Sequence, residues 1–130
     1  VIPSCASSLL SVAAYDADSN RLFLNSGRGY TQNEIIKPDL AAPGVSVTAP
    51  VAGGSYEAFT GSCAASALTA GATALLAQGG RQMHPPITFT AQQVKMLFLR
   101  GSRQSSAYVY PNREWGYGTL DLYHTFELIV

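Results

Sequence analysis

The sequence predicts an α/β fold organised around one buried helix, and three observations lead there. Residues Phe59 to Gln78, FTGSCAASALTAGATALLAQ, pass from a Gly-containing loop into a segment long enough for a helix and apolar on every side. A helix with no polar stripe is a buried one. Ahead of it, Leu9 to Tyr15 (LLSVAAY) is a short apolar run broken by Asp16, Asp18, Ser19 and Asn20, the pattern of a buried strand and its turn. Behind it, Thr90 and Gln93 have the spacing of a capping box opening a second helix.

The elements follow in order. Leu22-Phe23-Leu24 is a second, shorter apolar piece. Asn25 to Tyr30 (NSGRGY) is a loop in which Gly27 or Gly29 supplies a positive φ. No Lys-Ser/Thr pair or helix start follows it, which excludes a phosphate-binding P-loop. In Ile35 to Val47 (IIKPDLAAPGVSV), Pro38, Pro43 and Gly44 forbid a helix through the middle, and Val45-Ser46-Val47 alternates as a short strand. Ala52 to Tyr56 reads as a loop, and the main helix runs from Ser62 or Cys63 to about Gln78. Gly79 to Phe89 is a further loop. The next helix places Val94, Leu97 and Phe98 on one face and stops at Gly101. Residues 103–118 are irregular around Trp115, and Asp121 caps a last helix whose Leu122, Phe126 and Ile129 share a face.

With 130 residues, 47% hydrophobic and 12% charged, the chain has the length of one domain and can bury a sizeable core. Eight basic and eight acidic residues cancel, so no charged face recruits nucleic acid or an anionic membrane. The apolar runs are short and broken, so nothing is expected to span a bilayer. No signal peptide is recognisable. The chain starts mid-pattern with VIPSC and stops on Leu128-Ile129-Val130, so both ends are expected to be cuts in a longer protein. Cys5 and Cys63 make neither a disulfide framework nor a metal-ligand spacing, and no metal or other cofactor is expected.

Chemistry is plausible at one place. Gly61-Ser62-Cys63 leads into the main helix, so Cys63 sits among its unpaired N–H groups and at the positive end of its dipole. A nucleophile so placed is stabilised as its anion.

PDLAAPG (Pro38 to Gly44), GSCAASALTAG (Gly61 to Gly71), the helix at 90–100 and WGYG-x-LD-x-Y (Trp115 to Tyr123) resemble, in this order and spacing, the C-terminal part of a subtilisin-like peptidase. The family's nucleophile motif is Gly-Thr-Ser-x-Ala-(Ala/Ser)-Pro-His-x-Ala-Gly. Gly61 matches, Ser62 replaces Thr, and Cys63 stands at the nucleophilic Ser. Ala67 and Leu68 replace Pro and His, and Ala70-Gly71 match again. YPNREWGYG (Tyr110 to Gly118) and the Ala-Leu-Thr form of the helix resemble a clostridial branch containing spore-germination peptidases and their inactive relatives. The resemblance runs from about Pro3 to Tyr123. It implies the C-terminal part of a doubly wound parallel sheet whose central buried helix carries the nucleophile at its N-terminus. Residues 1–130 would then be one segment of a single catalytic domain.

The resemblance also implies what this segment lacks. In the subtilisin order Asp, His, Ser, the His lies roughly 150 and the Asp roughly 190 residues before the nucleophile. The Asn oxyanion donor lies roughly 65 before it. Counted back from Cys63, the His and Asp fall outside the chain and the Asn falls at or just before Val1. His84, in a loop before Pro85-Pro86, and His124, beside Tyr123 and Phe126, are expected to be ordinary histidines rather than bases for Cys63. Asp39 belongs to the PDLAAPG turn.

Three readings of Cys63 stand together at this stage. It is an introduced substitution that traps an intact or acylated protein, a natural residue of an inactive or thiol-dependent relative, or a small buried space-filler. Thiolate is a strong nucleophile, but sulfur is larger than oxygen and leaves readily from a tetrahedral intermediate. Such a site acylates on activated esters and cleaves amides poorly. The first functional hypothesis is therefore a peptidase segment without activity alone, with the Cys63 backbone N–H in the oxyanion hole and Ser62 and Gly61 beside it. The second is a pseudopeptidase serving as a binding or regulatory module. The expected partners are a peptide or protein substrate, and the N-terminal part of the domain or a second copy covering the open sheet edge and apolar helix. No nucleic-acid or membrane partner is expected. The resemblance implies a secreted or spore-associated bacterial protein, and the compartment itself stays open.

Overall fold

A computed structural model describes residues 3–130. The elements, in chain order, are β1 (Val12–Asp16), β2 (Arg21–Leu22), β3 (Leu40–Pro43), β4 (Val47–Val51), β5 (Ser55–Phe59), α1 (Ser62–Gln82), α2 (Ala91–Gly101) and α3 (Leu122–Glu127). One sheet has the order β2-β1-β3, with β1 and β2 antiparallel and β1 and β3 parallel. Beyond β3, Thr119 pairs in parallel with Ala41 and antiparallel with Arg103, which carries the sheet two partners further. β4 and β5 form a separate antiparallel hairpin.

The strand β3 was not foreseen. Its residues Leu40, Ala41 and Ala42 are fully buried, and its place in the sheet comes from pairing with β1 from Val12↔Leu40 to Tyr15↔Pro43. The expected strand at 45–47 begins at Val47 and runs to Val51. The expected loop at 52–56 is a turn at 52–54, with positive φ at Gly53 and Gly54, after which Ser55 enters β5. Of the two candidate loop glycines, Gly29 has the positive φ, 96°, and donates its N–H to the Arg113 carbonyl at 2.8 Å.

The helix α1 lies against β1 and β3 because three alanines permit close approach. Ala14 of β1, Ala42 of β3 and Ala65 of α1 are all fully buried against one another. Down the same stripe follow Thr69, Ala72, Leu76 and Gly80. Thr69 satisfies its buried hydroxyl by donating to the Ala65 carbonyl at 2.9 Å. Leu76 joins Leu40, Ala72 and Phe98 in the main core, to which α2 adds Val94 and Leu97 and α3 adds Leu122 and Phe126. Full burial of side chains such as Phe98 and Leu76 stabilises by about 2 kcal/mol each. The opposite sheet face, Ala13 and Ala41, is covered by Trp115 with Tyr15, Leu22 and Tyr110 beside it.

Burial of α1 is one-sided within this chain. Leu68 and Leu75 are 41% and 52% exposed, although the segment is apolar all round. The helix also runs four residues beyond the expected end at Gln78, through Gly79 and Gly80. Those glycines make room: a Cβ on Gly79 would lie 2.5 Å from the Phe126 ring, and one on Gly80 2.6 Å from the Phe89 ring. The capping box of α2 forms as expected, with Thr90 Oγ1 accepting from the Gln93 N–H and Gln93 Oε1 from the Thr90 N–H. Asp121 caps α3 by accepting from the His124 N–H at 2.9 Å.

Candidate active site

The first turn of α1 is held from behind by two short backbone segments. Gly44, immediately after β3, donates its N–H to the Tyr15 carbonyl at 3.0 Å and accepts the Gly61 N–H at 2.7 Å. Two residues on, the Ser46 N–H donates to Thr60 Oγ1 at 2.9 Å. These bonds continue the β4–β5 ladder, whose last pair is Val47↔Phe59, into the loop that precedes the helix. Gly61 is the N-cap, with φ 149°, a region that favours glycine, and no side chain caps this end of the helix. Its carbonyl accepts from the Ala64 and Ala65 N–H groups at 3.1 and 3.4 Å.

Ser62 and Cys63 are therefore the first two helical residues, and both are exposed. Cys63 is not in a disulfide. Within this chain its thiol is exposed rather than packed as a space-filler. An exposed thiol on the first turn, with uncapped backbone N–H groups around it, can attack a carbonyl carbon while those N–H groups face the developing oxyanion.

The other partners of acyl-transfer chemistry are not beside it. The helix α1 spans 21 residues, about 30 Å, and His84 follows its far end. His124 is on α3, whose Phe126 packs at Gly79 near that same end, and its Nδ1 lies 3.2 Å from the Gly101 carbonyl. Among the described residues, no hydrogen bond or ion pair joins Cys63 to a histidine or an acid. Asp121 is used as the α3 cap and pairs with Arg103 at 2.8 Å. The His124 N–H bond holds its carboxyl below the ordinary range; burial opposes this, and the Arg103 guanidinium adds to the lowering.

Asp39 has a different role from the turn residue expected. It is buried at the entry to β3, where Oδ2 accepts from Lys37 Nζ at 2.6 Å and from the Ser11 N–H at 2.7 Å. Lys95 of α2 meets Oδ1 at 3.0 Å. Both lysines also bond the Leu9 carbonyl, so the cluster ties the segment before β1 to β3 and α2. It sits at the strand ends opposite Gly44, across the length of the sheet from Cys63. Burial lowers the Lys37 pKa, and the Asp39 contact opposes that shift. Sequence reasoning missed this cluster and the Gly44–Gly61 clasp, because neither has a local signature.

The subtilase family model matches residues 1–118. Among solved structures, the chain is similar to the CspB protease of Clostridium perfringens, with 31% identity and a TM-score of 0.90, over 98% of this chain and 28% of that one. It also shares the fold of the protease domain of PatA, at 24% identity and TM-score 0.79, over 98% of this chain and 42% of that one. The prenylagaramide maturation protease PagA gives 21% identity and TM-score 0.79, over 99% and 45%. The chain thus spans less than half the length of each of these structures. Comparison with the curated proteins gives no match. The motifs at Pro38–Gly44 and Gly61–Gly71, the α/β fold and the family match agree: this chain belongs to the subtilase family, with a clostridial protease among its structural relatives.

Proposed function

We propose that the chain is the C-terminal segment of a subtilisin-like endopeptidase catalytic domain, with Cys63 at the nucleophile position. The exposed Cys63 on the first turn of α1, directly behind the Gly61 N-cap, carries this reading. In the complete domain, Cys63 Sγ attacks the scissile carbonyl. Its backbone N–H joins the oxyanion hole, and Ser62 and Gly61 line the same edge. The general base, its orienting acid and a further oxyanion donor come from sequence upstream of this segment.

The chain by itself is expected to lack peptidase activity, since among the described residues no base stands beside Cys63. Incubation with casein should give no cleavage above buffer. Cleavage that disappears on Cys63→Ala would contradict the proposal. An activated nitrophenyl ester should nevertheless acylate Cys63: a C–S bond forms, the ester C–O bond breaks, and nitrophenolate leaves.

The sulfur itself favours a second reading, a pseudopeptidase that binds peptide without turnover, because thiolate leaves an amide-derived tetrahedral intermediate more readily than the amine does. Restoring the upstream part separates the two. Casein cleavage by the whole domain supports the peptidase, and saturable peptide binding without cleavage supports the binding module. The exposed apolar face of α1, including Leu68 and Leu75, is proposed to dock the N-terminal part of the domain, or a second copy in its absence.

A further inference from the structure

We propose that Gly44 is a positioning residue for Cys63, acting by fixing the Gly61 carbonyl on which the first turn of α1 is built; the assignment rests on reading Cys63 as the nucleophile. Gly44 is buried between the end of β1, the loop before α1, and α1 itself. A Cβ at this position would lie 2.7 Å from the Ala14 Cβ, 2.8 Å from the Gly61 oxygen and 3.2 Å from the Ala65 Cβ. Neither Ala14 nor Ala65 has a rotamer to escape into, and the Gly61 oxygen is backbone. Any side chain at 44 must therefore move main chain.

The direction of that movement decides what is affected. The Gly61 carbonyl accepts from the Ala64 and Ala65 N–H groups, and the Gly61 N–H is itself held by the Gly44 carbonyl. Cys63 lies between the acceptor and the donors of this small ring of bonds. Displacing the Gly61 oxygen therefore tilts the turn that carries both the thiol and the N–H groups facing the oxyanion. The Ser46 N–H bond to Thr60 Oγ1 is a second rivet on the same loop. Gly44 needs no contact with substrate to exert this effect. It sets where the sulfur is, and misplacement of a reacting atom by about 1 Å costs up to about a hundredfold in rate.

The test compares acylation of Cys63 and Cys5 by a nitrophenyl ester in the full chain, read by peptide mapping, with thermal melting followed in parallel. In Gly44→Ala the Cys63-to-Cys5 rate ratio is expected to fall about tenfold, within the range such displacements produce. Adding Ala14→Gly removes the 2.7 Å contact but leaves the one on the Gly61 oxygen. The double variant is therefore expected to melt closer to wild type while keeping the low ratio. A ratio that recovers together with the melting temperature overturns the assignment, because Gly44 would then matter only for stability. An unchanged ratio in Gly44→Ala overturns it too. If Gly44→Ala alone does not fold, the double variant with Ala14→Gly decides: it relieves the tightest side-chain contact while keeping the one on the Gly61 oxygen, and a ratio equal to wild type overturns the assignment. Should wild-type Cys63 label no faster than Cys5, the nucleophile reading itself has failed. A wild-type preference that the variants retain defeats the Gly44 assignment alone.

Discussion

Replacing Asp39 with Ala should be among the most damaging single changes in this chain, although the residue lies far from Cys63. Asp39 is 3% exposed and Lys37 6%, so the substitution leaves an ammonium in the interior with only the Leu9 carbonyl for company. Breaking a buried pair by removing one partner costs about 3–5 kcal/mol. Loss of the acceptor for the Ser11 N–H adds about 1 kcal/mol. Lys95 offsets part of this, because its side chain is 15% exposed and can turn towards water. The expected net cost is about 4 kcal/mol, a large share of the roughly 6–20 kcal/mol that stabilises a domain of this length. At about 3–5 °C per kcal/mol for this size, melting should fall by about 12–20 °C. Thermal and urea unfolding followed by circular dichroism measure it. Asp39→Asn keeps an acceptor and should fall between the two. Lys37→Met in an Asp39→Leu background should recover most of the loss, since an apolar pair strands no charge. A cost below about 1 kcal/mol for Asp39→Ala would mean that the cluster behaves as a screened surface pair and not as a buried one.

Two further outcomes follow from the structure. Asp121→Ala removes the α3 cap and should cost about 1 kcal/mol at neutral pH. Because the folded carboxyl is held below its ordinary range, its contribution is fully present above that range and is lost as pH falls through the folded pKa. The gap between Asp121→Ala and wild type in urea unfolding should therefore close in acid, and a gap constant with pH would contradict the assignment. The uncovered face of α1 should make the chain self-associate, giving a concentration-dependent elution volume that Leu68→Lys with Leu75→Lys shifts towards monomer. A wild-type chain that elutes as a monomer at every concentration would count against that docking face.

The features legible in the sequence are those fixed by chemistry within a few residues. The Thr90–Gln93 box, the Asp121 cap and the start of α1 after Gly61 each satisfy helix-end N–H groups locally, or leave them open by having no side chain to do so. What escaped is set by partners distant in sequence. Leu40–Pro43 has two Ala and a Pro, residues depleted in strands, and is a strand because β1 pairs with it. The continuation of α1 through Gly79-Gly80 runs against helix propensity, at about 1 kcal/mol per Gly, and is offset by the approach of Phe126 and Phe89. Lys37, Asp39 and Lys95 show nothing in the sequence to say that they meet. Cys63 stood out in the sequence because its motif is local. Its distance from both histidines emerged from the length of α1 and the packing of α3 at its far end.

Selective labelling decides whether Cys63 occupies the position of an acyl-transfer nucleophile. The chain is treated with one equivalent of a thiol-reactive probe and digested, and the probe is located by mass spectrometry. Rapid modification is expected at Cys63, in preference to the half-buried Cys5 and well ahead of the same peptide in the unfolded chain. Equal, slow labelling of both cysteines, unchanged by unfolding, would contradict it.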